Sequence, residues 1–211
     1  MRTRVGCALI LLSMAAGFAQ GQKNFEATGM VGYQLNGGLD LSTSLFKRIE
    51  VRNGLSYGAG LGYLLGDRYS VEFMWTYNKA NTFAQPRNGG SDIKLFVLDT
   101  NQYFGNFLFH FANREKQLRP FVLLGAGGTN LHPAFPGVAS VTRFAFAVGG
   151  GAKYNLTKRF GLRLQAKWSP TYITTTHAGY WCDPFWGGCW AVGNDHYLHQ
   201  FDGAAGLTFR F

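Results

Sequence analysis

The chain has 211 residues, 46% of them hydrophobic and only 15% charged, with 29 glycines, 19 phenylalanines and 10 tyrosines. That balance suits one domain of ordinary size, poor in helix formers and rich in strand aromatics, and it predicts an all-β chain. The formal charge of +9 is dispersed rather than gathered into a basic stripe, so no nucleic-acid partner is expected.

Arg2 and Arg4 form a basic start, residues 5–16 an apolar stretch, and Gly17-Phe18-Ala19 a small-x-small cleavage site. Residues 1–19 are therefore read as a signal peptide, taking Cys7 with them, and residues 20–211 as the mature domain. No later apolar run approaches the roughly 20 residues of a membrane helix, which leaves strands as the means of crossing a bilayer. The remaining positive charge suits solubilising loops and attraction to anionic headgroups.

From Phe25 onward eight segments hold a period of two, the pattern of a strand with one apolar face. The first, residues 25–34, sets Phe25, Ala27, Val31 and Tyr33 against Glu26, Thr28 and Gln34. In residues 55–64, Leu55, Tyr57, Leu61 and Tyr63 oppose Ser56 and three glycines. Residues 69–78 set Tyr69, Val71, Phe73, Trp75 and Tyr77 against Ser70, Glu72, Thr76 and Asn78. The fourth, within residues 93–111, opposes Tyr103, Phe107, Phe109 and Phe111 to Gln102, Asn106 and His110, with Phe104 and Leu108 off pattern. Residues 119–128 are almost continuously apolar and read as a strand from their glycines and neighbours. Residues 144–154 carry Phe144, Phe146, Val148 and Tyr154 opposite small residues and Lys153. The seventh, residues 160–169, opposes Phe160, Leu162, Leu164, Ala166 and Trp168 to Arg163, Gln165, Lys167 and Ser169. The eighth, residues 197–211, puts Tyr197, Phe201, Ala205, Leu207, Phe209 and Phe211 on one face and Gln200, Asp202, Thr208 and Arg210 on the other.

Long connections at 35–54, 79–92, 129–143 and 170–196 alternate with short ones at 65–68, 112–118 and 155–159. Transmembrane barrels segregate their loops in this way, short turns in the periplasm and long loops outside. The polar faces carry too little charge to solvate a whole exterior, whereas Tyr33, Tyr63, Tyr69, Tyr77, Tyr103, Phe160, Trp168 and Phe211 fall where two interfacial girdles would lie. A soluble ligand-binding barrel, apolar inside and charged outside, fits less well. The expected fold is an eight-stranded antiparallel up-and-down transmembrane β-barrel.

The stretch Asn106-Phe107-Leu108-Phe109-His110-Phe111, followed by Arg119-Pro120-Phe121 and Gly125-Ala126-Gly127, resembles the small OmpA-like outer-membrane β-barrel family. Gly149 to Tyr154, Leu156-Thr157, Phe160 to Arg163 and the ending Leu207-Thr208-Phe209-Arg210-Phe211 are similar to that family's later strands. The resemblance implies an outer-membrane location in a Gram-negative-type bacterium, assembly through the terminal Phe211, and a monomer surrounded by outer-membrane lipid. No peptidoglycan-binding domain follows Phe211, so a wall-tethering role is not expected.

Eight strands enclose a lumen that side chains just fill, so inward charges must neutralise one another. Glu72, Arg163, Lys167 and Asp202 are expected to form an ion-pair network, Asp202 with Arg163 or Lys167, and Glu26 to reach Arg210 where the barrel closes. Such a network blocks a pore, although a gated ion path is the alternative. In the last long connection Cys182 and Cys189 enclose a Pro/Gly turn and, in an oxidising compartment, are expected to form a disulfide. Metal binding there with His177 or His196 lacks a second cysteine pair, and neither metal nor cofactor is expected. Tyr180, Trp181, Phe185, Trp186 and Trp190 around the clasp form a candidate surface for an unidentified ligand. His199 has no serine and acid evident on its face, so a lipid-modifying enzyme is the weakest alternative. A structural or surface-interaction role is expected, with a narrow pore second.

Overall fold

The computed structural model describes residues 24–40, 46–134, 140–173, 180–182, 189–191 and 196–211. The signal-peptide segment lies outside them. Fourteen strands are present among the described residues: β1 Phe25–Asn36, β2 Gly38–Asp40, β3 Phe46–Val51, β4 Gly54–Leu64, β5 Tyr69–Pro86, β6 Ile93–His110, β7 Leu118–Pro133, β8 Val141–Asn155, β9 Phe160–Trp168, β10 Thr171–Ile173, β11 Tyr180–Cys182, β12 Cys189–Ala191, β13 His196–Leu198 and β14 Gln200–Arg210. Among the described residues there is no helix.

Eight of these strands close an antiparallel barrel in the order β1, β4, β5, β6, β7, β8, β9, β14, with β14 returning to β1 through Glu26 opposite Arg210 down to Asn36 opposite Gln200. Every non-terminal pair along that circuit follows sequence order, so each connection is local. The short turns behave as such: Gly66, at φ 95°, supplies the left-handed backbone that the β4–β5 turn requires. Curvature also explains two inward glycines. A Cβ on Gly127 would lie 1.9 Å from the Tyr103 carbonyl oxygen, and one on Gly151 2.0 Å from that of Leu164. A wall bent this tightly has no room for a side chain there.

The apolar faces point outward, with Leu61 63% exposed and Leu164 62%, while the alternate positions Thr28, Glu72, Thr76, Asn106, Arg163 and Lys167 are buried. Such polarity is opposite to that of a water-soluble protein and fits lipid outside. The inner wall is less uniformly polar than the sequence suggests. Phe104, Leu108, Phe121, Leu123, Ala145 and Ala147 form a buried apolar cluster along β6, β7 and β8. That cluster is why Phe104 and Leu108 broke the alternation of the fourth segment and why the fifth reads as continuous: both faces there are apolar.

All four long connections require correction, the last because β10 pairs with β8 and β13 and because β11 pairs with β12 within it. β5 and β6 have 18 residues each, so β5 is about 60 Å long at ~3.4 Å per residue. Tilted by roughly 40°, it rises about 45 Å, well beyond an apolar band of about 25 Å. Stretches 35–54 and 79–92 are accordingly strand for much of their length: β2 continues β1, β3 pairs with β2 and with the upper part of β5, and β5 runs on to Pro86. Likewise β7 extends to Pro133 and β8 begins at Val141. Two features hid these extensions. The ladder carries an extra residue on β6, Leu95, where Thr82 pairs with Phe96 and Phe83 with Lys94, and the chemical sense of the alternation reverses although even positions of β5 stay inward. Above the lipid boundary Ile49, Val51, Ala80, Phe96, Leu98 and Leu131 face inward and are buried, while Lys79, Asn81 and His132 face water.

The boundary itself is marked on β5 and β6. Trp75 Nε1 donates to Asn101 Oδ1 at 3.0 Å, Tyr77 Oη to Asp99 Oδ1 at 3.0 Å, and Lys79 Nζ lies 3.9 Å from Asp99. Aromatic bodies in lipid with polar tips raised toward water are the usual arrangement of an interfacial girdle. The closing strand has a comparable junction. The Gly37 N–H between β1 and β2 donates to the His199 carbonyl between β13 and β14 at 2.7 Å, so both breaks fall side by side. His199 points outward and stacks on Trp168 and Tyr197, at ring separations of 5.7 and 6.4 Å.

Candidate functional site

The lumen is filled at three levels. At the periplasmic end, strand register sets three cations directly opposite one another: Arg119 of β7 faces Lys153 of β8, and Lys153 faces Arg163 of β9. Like charges across neighbouring strands repel, so acids must come from elsewhere. They come from the far wall. Glu26 of β1 accepts from Lys153 and, at 2.6 Å, from Arg210 Nη2, while Glu72 of β5 accepts from both terminal nitrogens of Arg163. The Arg163 guanidinium also bonds Gln165 and lies 5.0 Å above the Phe121 ring. Each of these charges is almost fully buried, Arg210 being the most open at 11% exposure of its side chain. Below them, in the turn after β6, Arg114 donates to Asn24 Oδ1 at 2.9 Å; partial burial, then the charge of Arg210, lower its pKa from the ordinary value.

The middle level is built from amides and hydroxyls. Lys167 Nζ donates to Gln102 Oε1 at 3.1 Å and sits 4.8 Å from the Phe104 ring centre. Gln102 Nε2 donates to Gln200 Oε1 at 2.8 Å and to Ser169 at 3.2 Å; Gln200 in turn reaches Asn36, which also receives a bond from Gln34. A continuous polar chain thus crosses from β6 through β14 to β1. The third level is the apolar filling above the lipid boundary, where Val51, Ala80, Phe96, Leu98 and Leu131 pack together.

The expected network residues are distributed across two of these levels. Glu72 meets Arg163, and Glu26 meets Arg210. Asp202 is the direct backbone neighbour of Lys167, yet its carboxylate accepts from Ser56 of β4, and Lys167 turns to Gln102 and Thr76 instead. Absent from the expected set were Lys153, Arg119 and the amide chain. Lys153 carried a usable signal, since it is the charged residue on the inward parity of its segment. Arg119 stood in the near-continuous apolar stretch, where parity could not be assigned. In the last long connection, β11 and β12 form a hairpin with Cys182 and Cys189 as direct backbone partners. Phe185 and Trp186 lie outside the described residues, as do the side chains of Tyr180, Trp181 and Trp190.

Residues 3–171 match the family of the OprF membrane domain. No curated protein sequence matches the chain. Among solved structures, the outer membrane protein OprG from Pseudomonas aeruginosa shares 14% identity at a TM-score of 0.62, covering 91% of this chain and 98% of that one. Neisserial surface protein A shares 12% identity at a TM-score of 0.56, covering 89% and 97%. The outer membrane protein AlkL, solved in lipid bilayers, shares 14% identity at 0.56, covering 92% and 93%. At such identities the likeness is one of fold.

Proposed function

This chain belongs to the OprF membrane domain family and is an outer-membrane β-barrel of the Gram-negative type; from that premise we propose that it is a closed barrel whose role is structural and surface-interacting, exercised through its extracellular rim. The observation that supports this reading is the filled lumen. Ionic, amide and apolar levels succeed one another along the barrel axis, and a water-filled path would have to break buried charge pairs, then an amide chain, then an apolar core. Leaving one partner of a buried pair exposed to no counter-charge costs several kcal/mol, about 3–5. A pore of steady conductance does not suit that cost.

The extended strands favour surface work. They lift the outer connections well above the lipid boundary, and the last of them carries the aromatic segment 180–190. Planar-bilayer recording tests the first half of the proposal: the expected result is no steady ohmic conductance, and a stable open level would overturn it. Cells expressing a chain deleted for residues 180–190 test the second half, the expected result being weaker attachment to glycan- or protein-coated surfaces. Unchanged attachment, with the barrel still folded, would remove that segment as the interacting surface.

A further inference from the structure

We propose that the periplasmic end of the lumen holds one small inorganic anion, with Arg119 as its principal ligand. The starting point is charge balance. At this level two carboxylates, Glu26 and Glu72, stand against four cations, Arg119, Lys153, Arg163 and Arg210. Both carboxylates are committed, Glu26 to Lys153 and Arg210, and Glu72 to Arg163. Among the described residues Arg119 makes no ion pair of its own and feels Glu26 and Asp67 only at longer range. It has 0% exposure, and its one hydrogen bond runs from Nη2 to the main-chain oxygen of Asp67 at 2.8 Å. Nε and Nη1 are buried with no partner.

A guanidinium stays charged in a protein, so Arg119 cannot escape by losing its proton. A buried charge with most of its donors unmet carries a penalty of several kcal/mol, and its direct neighbour Lys153 adds repulsion rather than relief. The nearest turn offers a carbonyl, because Asp67 is an exposed residue that presents its main chain to Arg119.

A second unmet group lies on the next strand. His110 faces inward with 0% exposure, opposite Phe121, which places it diagonally from Arg119 on the same wall. Its Nε2 is 3.2 Å from Ser70 Oγ, and its Nδ1 has no partner. When the Ser70 hydroxyl donates to Nε2, the neutral ring carries its hydrogen on Nδ1. The site then offers N–H donors from Arg119 and His110 and a positive field from Lys153, and Glu26 and Glu72 keep their oxygens on other cations. That is the chemistry of an anion site, reached from the periplasmic mouth where Arg210 is partly open. Its occupant is chloride or a small oxyanion such as phosphate, which share these donors.

The test uses the refolded chain in detergent, held at constant urea, with folded and unfolded forms separated by electrophoresis without heating. Chloride, or in a second arm inorganic phosphate, replaces a bulky organic sulfonate at constant ionic strength. A ligand binding only the folded form raises the folded-to-unfolded ratio by 1 + [L]/Kd, about elevenfold at ten times Kd. The expected result is a saturable rise for one of the two anions in the wild-type chain. It is absent in Arg119→Met and retained in Lys158→Gln, which alters an exposed turn charge. A non-saturating response, or the same saturable response in Arg119→Met, would overturn the proposal. Should Arg119→Met fail to fold, Arg119→Lys decides: a Kd equal to wild type refutes Arg119 as ligand, and a weaker one supports it. Chloride-35 line broadening by folded wild-type protein, lost on heat unfolding, identifies chloride as occupant; phosphate competition without such broadening identifies the oxyanion.

Discussion

Replacing Glu72 by leucine isolates the ionic level of the lumen. Arg163, at 0% side-chain exposure, would lose two hydrogen bonds and its counter-charge, while Arg119 and Lys153 remain directly across the neighbouring strands. Removing one partner of a buried pair costs about 3–5 kcal/mol, and the upper half of that range applies because the cation left behind sits in a row of like charges. Glu72→Leu with Arg163→Met behaves differently. The pair disappears together, one cation leaves the row, and methionine packs on the Phe121 ring that Arg163 now covers. The double variant is expected within about 1–2 kcal/mol of wild type, since replacing a whole buried pair by apolar groups is often nearly neutral. Urea titration of the folded band in unheated electrophoresis measures wild type, Glu72→Leu, Arg163→Met and the double variant, and the double-mutant cycle gives the coupling. A single variant costing under about 1 kcal/mol, or a double variant equal to the sum of the singles, would refute the view that Glu72 exists to neutralise Arg163.

Leu164, 62% exposed near the middle of β9, faces lipid; Leu164→Arg is expected to cost about 2–4 kcal/mol in a bilayer, and a loss below about 1 kcal/mol in the same urea titration would place the apolar band elsewhere. Cys182 and Cys189 are expected to be joined after export, so alkylation and intact mass of the mature protein should find neither thiol free; two labelled thiols would refute it.

Much of the barrel was legible because lipid and lumen impose opposite demands on alternate residues. Segments such as Tyr69 to Asn78 and Phe160 to Trp168 satisfy both demands at nearly every step, inward Met74 being the exception, and the strands lie there. Legibility failed where the two faces ceased to differ. Leu123 and Leu124 are both apolar, one packed in the inner cluster and the other 60% exposed to lipid, so no period is visible. It fails again above the boundary, where apolar residues turn inward and polar ones outward, the reverse of the pattern below. Of the site, parity puts Glu26, Glu72, Arg163 and Arg210 on the inner wall and strand adjacency joins Glu26 to Arg210, whereas the sequence favours Asp202 for Arg163 and the structure gives it Glu72 across the lumen. Lys153 meets Glu26 across the lumen from a strand 127 residues distant, a contact that depends on shear and diameter, which local sequence does not encode.

The reversal along β5 divides one continuous strand between two solvents, and with them two opposite rules of tolerance. Below Lys79, an outward residue such as Phe73 must remain apolar and an inward one such as Thr76 belongs to a hydrogen-bonded interior. A few steps higher Asn81 looks into water and Ala80 into an oily core. The collar is thus a sheet of water-soluble polarity that continues without a break from the membrane barrel below it. Its outer positions can carry charge at little cost, whereas the same outward positions lower on the strand must stay apolar against the lipid.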